Sequence, residues 1–511
     1  MNFARISNNI ESHSTQPLAN VAKRSPFLLL SFALTTVLRY VFFLAIVRIL
    51  SVELYGVLAV AESILMILGF AVSASFPWAV TRFTTIGEST YIRPGLLGNF
   101  AVGALACAFF FIADELGILR IDQDSNYKTI VFLIMATITL LSLSNVFQGY
   151  LLGTFRFGSV ALLRVGGAIA QLVVGLTLVI LGAGAEGALA GYISAAFVSL
   201  FIGFWISKGA LRNTGSWINL QFTYFALTLM IGILGIHLII NLDQLAVKMF
   251  SPASSANVLS ANYKAARLIC TLPLYVITSF IGAIFPISAE YSSDPKQLGF
   301  YVRKMLKHVF AFILPTYIAL IVVPKEILGV IFPSEYTTAS QALSVLSPGV
   351  FLLILVAIFT AVLQGSGSPR RPAVIVGMAI VFQSILLYIL VPRYDIVGAS
   401  IATTISSGLA LVGLVIYYPK KFRLTPHWMN TLKIVCASIS MVIAIYIFPM
   451  TSLISVAIGI VFGYLVFLLT LILSMYFDSE DKRLFLFIME RLALILRVDP
   501  KQIVSRFRKP N

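Results

Sequence analysis

The stretch QGYLLGTFRFGSV, residues 148–160, returns in altered form as QGSGSPRRPAVIV, residues 364–376. Each copy begins with Gln-Gly, passes through a polar turn that contains arginine, and continues as an apolar segment of helical length. A second turn with Gly-Ala, at 187–188 and again at 398–399, precedes another apolar segment in each copy. The chain therefore contains an internal repeat with one copy in each half. Two related membrane halves are typical of transporters whose substrate site lies between the halves, near the bilayer midplane.

The composition is that of a membrane protein. Hydrophobic residues make up 59% of the chain and charged residues 11%, and the mean hydropathy is +0.97. About fourteen apolar segments are each long enough to cross the roughly 30 Å of hydrocarbon in a bilayer. None shows the two-residue alternation of transmembrane β-strands. We therefore expect an all-α integral membrane protein of about fourteen transmembrane helices, arranged as two pseudo-symmetric six-helix lobes plus two C-terminal helices.

The positive charges predict an orientation. The net charge is +16, and most Lys and Arg residues fall in the N-terminal segment, alternate loops and the C-terminal tail. Because cytoplasmic loops carry an excess of Lys and Arg, we expect a multi-pass protein of the cell membrane with both termini cytoplasmic. The basic tail fits anionic lipid headgroups better than nucleic acid. The predicted units are a cytoplasmic arm (1–22), an N-terminal six-helix lobe (23–213), a C-terminal six-helix lobe (214–419), two appended transmembrane helices (420–477) and a basic cytoplasmic tail (478–511).

Five charged residues lie inside apolar segments. Arg39 and Glu62 reach similar depths in adjacent antiparallel helices, which predicts an ion pair between them. Asp243 and Lys264 occupy matching depths in the second half, and Arg267 follows Lys264 three residues later, on the same helical face. Two structural explanations stay open: a packing ion pair for Arg39 and Glu62, and snorkelling of Lys264 and Arg267 to the membrane interface.

The charges predict an anion site. Each cation near the bilayer centre costs roughly 2.5 to 3.5 kcal/mol, so these side chains must face one another, an acidic partner or a water-filled cavity. Three cations and two carboxylates leave a positive surplus. Arg39, Lys264 and Arg267 are therefore the candidate substrate-binding residues, and Glu62 and Asp243 are candidates for ion pairing or for binding a coupling ion.

Signs of catalysis or metal binding are weak. The three cysteines lie singly in apolar segments, and the sequence has no metal-ligand spacing and no nucleophile with a neighbouring base. Asp122-Gln123-Asp124 resembles a metal-nucleotide motif, but it falls in a predicted outer loop, away from cytoplasmic nucleotide sugars. We therefore expect a protein that is not an enzyme and has no catalytic residues, metal or cofactor.

Several motifs resemble one transporter family. They are RILSVELYG at 48–56, Asp243 followed by KMF at 248–250, NYKAA at 262–266, and Phe285-Pro286. With them, the chain resembles the polysaccharide-transporter branch of the multidrug/oligosaccharidyl-lipid/polysaccharide exporter superfamily, the Wzx-type flippases, over about residues 22–476. The resemblance implies a V-shaped pair of six-helix lobes around a central cavity, with no ATP-binding machinery.

The resemblance also suggests functional residues. Related lipid II flippases carry essential cavity arginines on helices one, two and eight, and Arg39 and Arg267 occupy positions similar to the first and last of these. Helix two offers Glu62 instead. This difference makes lipid II itself a doubtful substrate.

Three functions fit the sequence to different degrees. The first is a flippase that moves a polyprenyl-linked glycan to the outer leaflet, with membrane lipids and glycan-assembly enzymes as partners and no role for nucleic acid. The second is a cation-coupled multidrug exporter of the same superfamily, for which a net acidic cavity is expected. The third is a membrane glycan polymerase or ligase, which requires a large outer loop with catalytic residues.

Overall fold

The computed structural model describes residues 30–85, 91–117, 127–212, 220–368, 370–417, 428–448, 452–474 and 476. Within these ranges the chain is helical apart from short connections, and no strand occurs. The N-terminal arm, the Asp122-Gln123-Asp124 motif, the predicted lobe boundary near residue 213 and the basic tail lie outside the described residues.

The helices follow the apolar segments of the sequence. In chain order they are α1 (Leu30–Ile49), α2 (Val52–Ser73), α3 (Phe76–Thr85), α4 (Ile92–Glu115), α5 (Tyr127–Gly153), α6 (Phe157–Ile180), α7 (Gly184–Ser207), α8 (Leu220–Phe250), α9 (Ala256–Glu290), α10 (Pro295–Phe312), α11 (Leu314–Val322), α12 (Pro324–Ile331), α13 (Ser340–Gly365), α14 (Arg370–Tyr417), α15 (Trp428–Tyr446) and α16 (Leu453–Leu473). Ten helical segments of the described chain are long and apolar enough to span a membrane. The predicted all-α membrane fold is confirmed.

The helices break at three places, each with a local cause. The apolar segment at about 55–80 divides into α2 and α3 just before Pro77. The segment at about 300–323 divides into α10 and α11 at Ile313, with Pro315 in the first turn of α11. Proline lacks the backbone donor of a helix interior but fits a first turn. The apolar segments at about 372–391 and 396–417 join within α14 at Asp395, whose backbone is non-helical at φ 47°.

The repeat is visible as two helical hairpins, α6–α7 and the two halves of α14. A side chain added at Gly187 would make tight contacts of 3.0 Å with Leu178, and one at Gly398 would collide with the Leu390 backbone. Both glycines therefore allow the second helix of a hairpin to lie against the end of the first. The sequence analysis had assigned them to the turns themselves, which is wrong: both lie in the first helical turn, because the chain reverses a few residues earlier.

Helix α2 connects the two halves of the molecule. It packs against α4, α5 and α7 of the first half and against α8 and α9 of the second. Gly56, the last residue of the RILSVELYG motif, lies so close to the Asn257 backbone that a methyl group there would overlap it. Glycine is therefore required for this approach of α2 to α9.

Candidate functional site

The first buried ion pair joins the two halves. Lys264 on α9 lies 2.8 Å from Glu62 on α2, with side-chain exposures of 6% and 0%. The other carboxylate oxygen of Glu62 accepts a hydrogen bond of 2.7 Å from the Tyr192 hydroxyl on α7. The predicted pairing of Glu62 with Arg39 is wrong. Equal depth in the bilayer does not determine which way a side chain points around its helix. The face of α2 that carries Glu62 packs against α9 and α7.

The second ion pair lies between α8 and α9. Nη1 of Arg267 lies 3.3 Å from Oδ1 of Asp243 and donates to the Ile240 carbonyl at 3.0 Å. Nη2 donates to Asn241 Oδ1 at 3.0 Å and to Ser63 Oγ of α2 at 3.3 Å. Asp243 and Lys264, which occupy matching depths, do not pair. One helical turn separates Lys264 from Arg267, and this turn places Lys264 against α2 and Arg267 against α8.

Asp243 is satisfied by further donors. Its carboxylate accepts from the Tyr263 hydroxyl at 2.6 Å, from the Thr403 hydroxyl at 3.1 Å and from the Gln244 backbone amide at 2.7 Å. Gln383 in turn donates to the Thr403 hydroxyl at 3.0 Å. Helices α8, α9 and α14 are thus held together by a hydrogen-bonded network around one buried charge, the condition under which a buried charge is tolerated.

Lys264 and Arg267 do not snorkel. Each is only 5% exposed. The three-residue spacing brings them to one side of α9, where both contact α2, through Glu62 and Ser63 respectively. In this conformation both cations are neutralised by internal carboxylates. The positive surplus of the five predicted residues therefore belongs to Arg39.

Arg39 is exposed although it lies on the packed face of α1. Residues at helical spacing on either side of it, Thr35, Phe42, Phe43 and Ile46, are all buried, so Arg39 lies at the centre of this face. Its side chain makes no hydrogen bond or ion pair within the described part of the chain. This placement favours a position beside a space between helices over one that faces lipid.

Arg164 is a charged residue that the sequence analysis missed. It lies on α6, eight residues into an apolar helix, and its Nε donates to Oε1 of Gln148 on α5 at 3.3 Å. Arg39 is near enough to act electrostatically on both Arg164 and Tyr192. The cost of a cation inside an apolar span, which singled out Arg39, applies equally to Arg164 and was the signal that could have found it.

A metal site is not evident. Among the described residues, no three His, Cys, Asp or Glu side chains lie together as possible metal ligands. Of the two acidic candidates, Asp243 is enclosed by donors, and Glu62 is shared between Lys264 and Tyr192.

The long apolar helices define a multi-span membrane protein. Residues 45–341, more than half of the chain, match the family described as polysaccharide biosynthesis protein, and the chain belongs to that family. It is 27% identical over 213 residues to the "Probable low-salt glycan biosynthesis flippase Agl15" of Haloferax volcanii, an alignment that covers 40% of this chain. The chain spans only 45% of the length of that relative.

Solved structures share the fold. "Lipid II flippase MurJ, inward closed conformation" superposes with a TM-score of 0.65 at 16% identity, covering 88% of this chain and 98% of that one. An inward-facing multidrug resistance MATE family transporter of the MOP superfamily superposes with a TM-score of 0.62 at 17% identity, covering 75% and 93%. The resemblance inferred from the sequence motifs is confirmed at the level of family and fold.

Proposed function

We propose that the protein moves a lipid-linked oligosaccharide or polysaccharide precursor from the cytoplasmic to the outer leaflet of the cell membrane by alternating access. The observation that carries the proposal is the positive surplus: Lys264 and Arg267 are neutralised, whereas Arg39 is exposed and has no carboxylate partner among the described residues. A lipid-linked sugar carries an anionic phosphate group that would supply the missing charge. The family and the flippase relative support this substrate class.

Contacts between the halves suggest how access alternates. Near the Ser51 and Ser251 turns, Arg48 donates to the Ile331 carbonyl at 2.7 Å, and the rings of Tyr55 and Tyr336 pack edge to face. The proposed orientation, with both termini cytoplasmic, puts these turns on the outer side. The Glu62–Lys264 ion pair lies deeper in the same contact. The outer side is therefore closed in this conformation and must open to release substrate.

Opening gives the buried cations a role in transport. When α2 moves away from α9, Glu62 leaves Lys264, and an anionic headgroup can replace the carboxylate. Arg267 would lose its Ser63 contact and keep Asp243, so its charge stays in place on α9. Arg39, Lys264 and Arg267 thus form the proposed path for the headgroup, and the lipid tail stays in the bilayer. Lys264 thus exchanges one counter-ion for another, whereas Glu62 keeps the Tyr192 hydroxyl and is stabilised by water that enters between the separated helices.

A flipping assay on reconstituted vesicles tests the proposal. Purified protein is incorporated into vesicles with a short-chain lipid-linked sugar, and its appearance in the opposite leaflet is measured with equal protein amounts. We expect Arg39→Gln to abolish most of the flipping, whereas Arg371→Gln, which removes an exposed arginine stacked on Tyr417, serves as the matched control with wild-type rates.

The same preparation distinguishes the second candidate function. The MATE family neighbour supports a cation-coupled multidrug exporter, which would transport cationic drugs in response to an ion gradient. Gradient-driven uptake of a cationic dye, combined with no flipping of any lipid-linked sugar, would contradict the flippase proposal and favour the exporter. Wild-type flipping in Arg39→Gln would instead remove Arg39 from the path.

A further inference from the structure

We propose that Arg164, Gln171 and Arg39 form a second anion-binding subsite, within the first half of the protein and separate from Lys264 and Arg267. Its ligand is a phosphate-type group that carries two or more negative charges. The inference rests on the proposed function only for the source of that group. Four observations on α1, α5 and α6 support it.

First, Arg164 points into the packed interior. Val160, Ala168 and Gln171, at spacings of four and seven residues along α6, are buried, so Arg164 lies on the same packed face. Its Nε is fixed by Gln148, and its two terminal NH2 groups have no hydrogen-bond partner in the described part of the chain. A guanidinium held by Nε presents these NH2 groups as a pre-oriented fork for an oxyanion.

Second, a donor without a partner lies on the same face. Gln171 is 1% exposed, and its Nε2 makes no hydrogen bond to any described residue. Buried polar groups are nearly always hydrogen-bonded, because a buried donor without a partner has lost its hydrogen bonds to water and gained none in exchange. An acceptor from a ligand between α1 and α6 would satisfy it.

Third, Arg39 faces the same region. Helix α1 packs on α6 and α7 through Phe42, which lies next to Gly175 and meets the Tyr192 ring edge to face at 6.1 Å between centroids. Arg39 lies one turn before Phe42, and its charge acts on Arg164. Two cations inside an apolar bundle repel each other. An anion between them attracts both, and this attraction outweighs the repulsion.

Fourth, the protein itself supplies no counter-ion. Glu62 contacts Tyr192, which packs against Phe42 of α1, but its carboxylate is occupied by Lys264 and by the Tyr192 hydroxyl. Neither Arg39 nor Arg164 has an ion-pair partner among the residues that the structure describes. Two guanidinium groups and one amide donor match the several oxygens of a phosphate or pyrophosphate better than the single charge of one carboxylate.

Binding of inorganic pyrophosphate to the full-length protein in detergent micelles tests the subsite directly. We expect Arg164→Gln to weaken binding by about tenfold or more, since it removes a charge-assisted pair of hydrogen bonds. Arg164→Lys should retain part of the affinity, and Gln171→Leu should show a smaller loss. The control Arg371→Gln should bind as the wild type does.

Thermal unfolding of each variant without ligand separates lost binding from lost folding. If Arg164→Gln is poorly folded, Arg164→Lys and Gln171→Leu decide the matter. Wild-type affinity in every folded variant, or no binding of pyrophosphate by the wild type, would overturn the subsite.

Competition with lipid ligands identifies the source of the phosphate group. In nanodiscs of neutral phosphatidylcholine, polyprenyl pyrophosphate should displace pyrophosphate from the wild type, and both ligands should bind more weakly to Arg164→Lys. Displacement by phosphatidylglycerol alone would assign the subsite to bilayer lipid and overturn its role in substrate binding. Pyrophosphate binding that depends on Arg164, combined with no flipping by the wild type, would leave the subsite standing and contradict the flippase proposal.

Discussion

The polar interiors of the two halves differ in how their cations are balanced. In the second half, Arg267 is paired with Asp243, and the carboxylate is enclosed by Tyr263 and Thr403. In the first half, Arg39 and Arg164 have no acidic partner among the described residues. Both halves hold cations within apolar helices, at the high cost of an apolar medium. On the proposed function, one half fixes its charge for structure and the other keeps it available for a ligand.

Removing Asp243 should have the largest effect on stability. Asp243→Asn leaves the Arg267 guanidinium buried without its counter-ion, which costs about 3–5 kcal/mol when one partner of a buried pair is lost. We expect a marked fall in the amount of folded protein and in the thermal unfolding midpoint. Asp243→Asn combined with Arg267→Leu should recover much of the loss, because no buried charge is then stranded. A single variant as stable as the wild type would show that the second half is not held by this pair.

Breaking the pair between the halves should have an intermediate effect. Glu62→Gln leaves Lys264 against a neutral side chain, but that contact lies between α2 and α9, which separate and admit water in the proposed opening. We expect a loss of roughly 1–3 kcal/mol, and a coupling energy of 0.5–3 kcal/mol in a double-mutant cycle with Lys264→Gln. Thermal unfolding of the four proteins gives this coupling. Strict additivity of the two single changes would mean that the 2.8 Å contact contributes nothing to the free energy of unfolding.

The same pair should control which conformation is populated. Labelling of a single cysteine at Ser63, which is buried against Arg267 of α9, by a water-soluble thiol reagent reports whether α2 and α9 are in contact. We expect faster labelling in a Glu62→Gln background, because the ion pair no longer favours the closed state. Equal rates with and without Glu62 would assign closure to the packing around Tyr55 and Tyr336.

The fold was largely predictable from the sequence, and the ion pairs were not. Apolar segments of sufficient length must be helical in a bilayer, since every backbone group has to be satisfied within the segment. The partners of Glu62 and Lys264 depend on how helices rotate and pack, which depth along the sequence does not determine. Hence Lys264 and Arg267 were correctly placed on one side of α9, whereas the predicted pairing of Arg39 with Glu62 was wrong. Arg164 was missed even though its apolar context was visible in the sequence.

Neutralising the first half should have the smallest effect on stability. Arg39 has no counter-ion within the described residues to strand, and its charge repels Arg164, so Arg39→Gln should change the free energy of unfolding by no more than about 0.5 kcal/mol. Thermal unfolding in detergent measures this, with Asp243→Asn as the destabilised reference. Added pyrophosphate should raise the unfolding midpoint of the wild type more than that of Arg39→Gln, because a ligand stabilises only the protein that binds it. A large destabilisation by Arg39→Gln without ligand would mean that this arginine is a packing residue, and the contrast between the two halves would disappear.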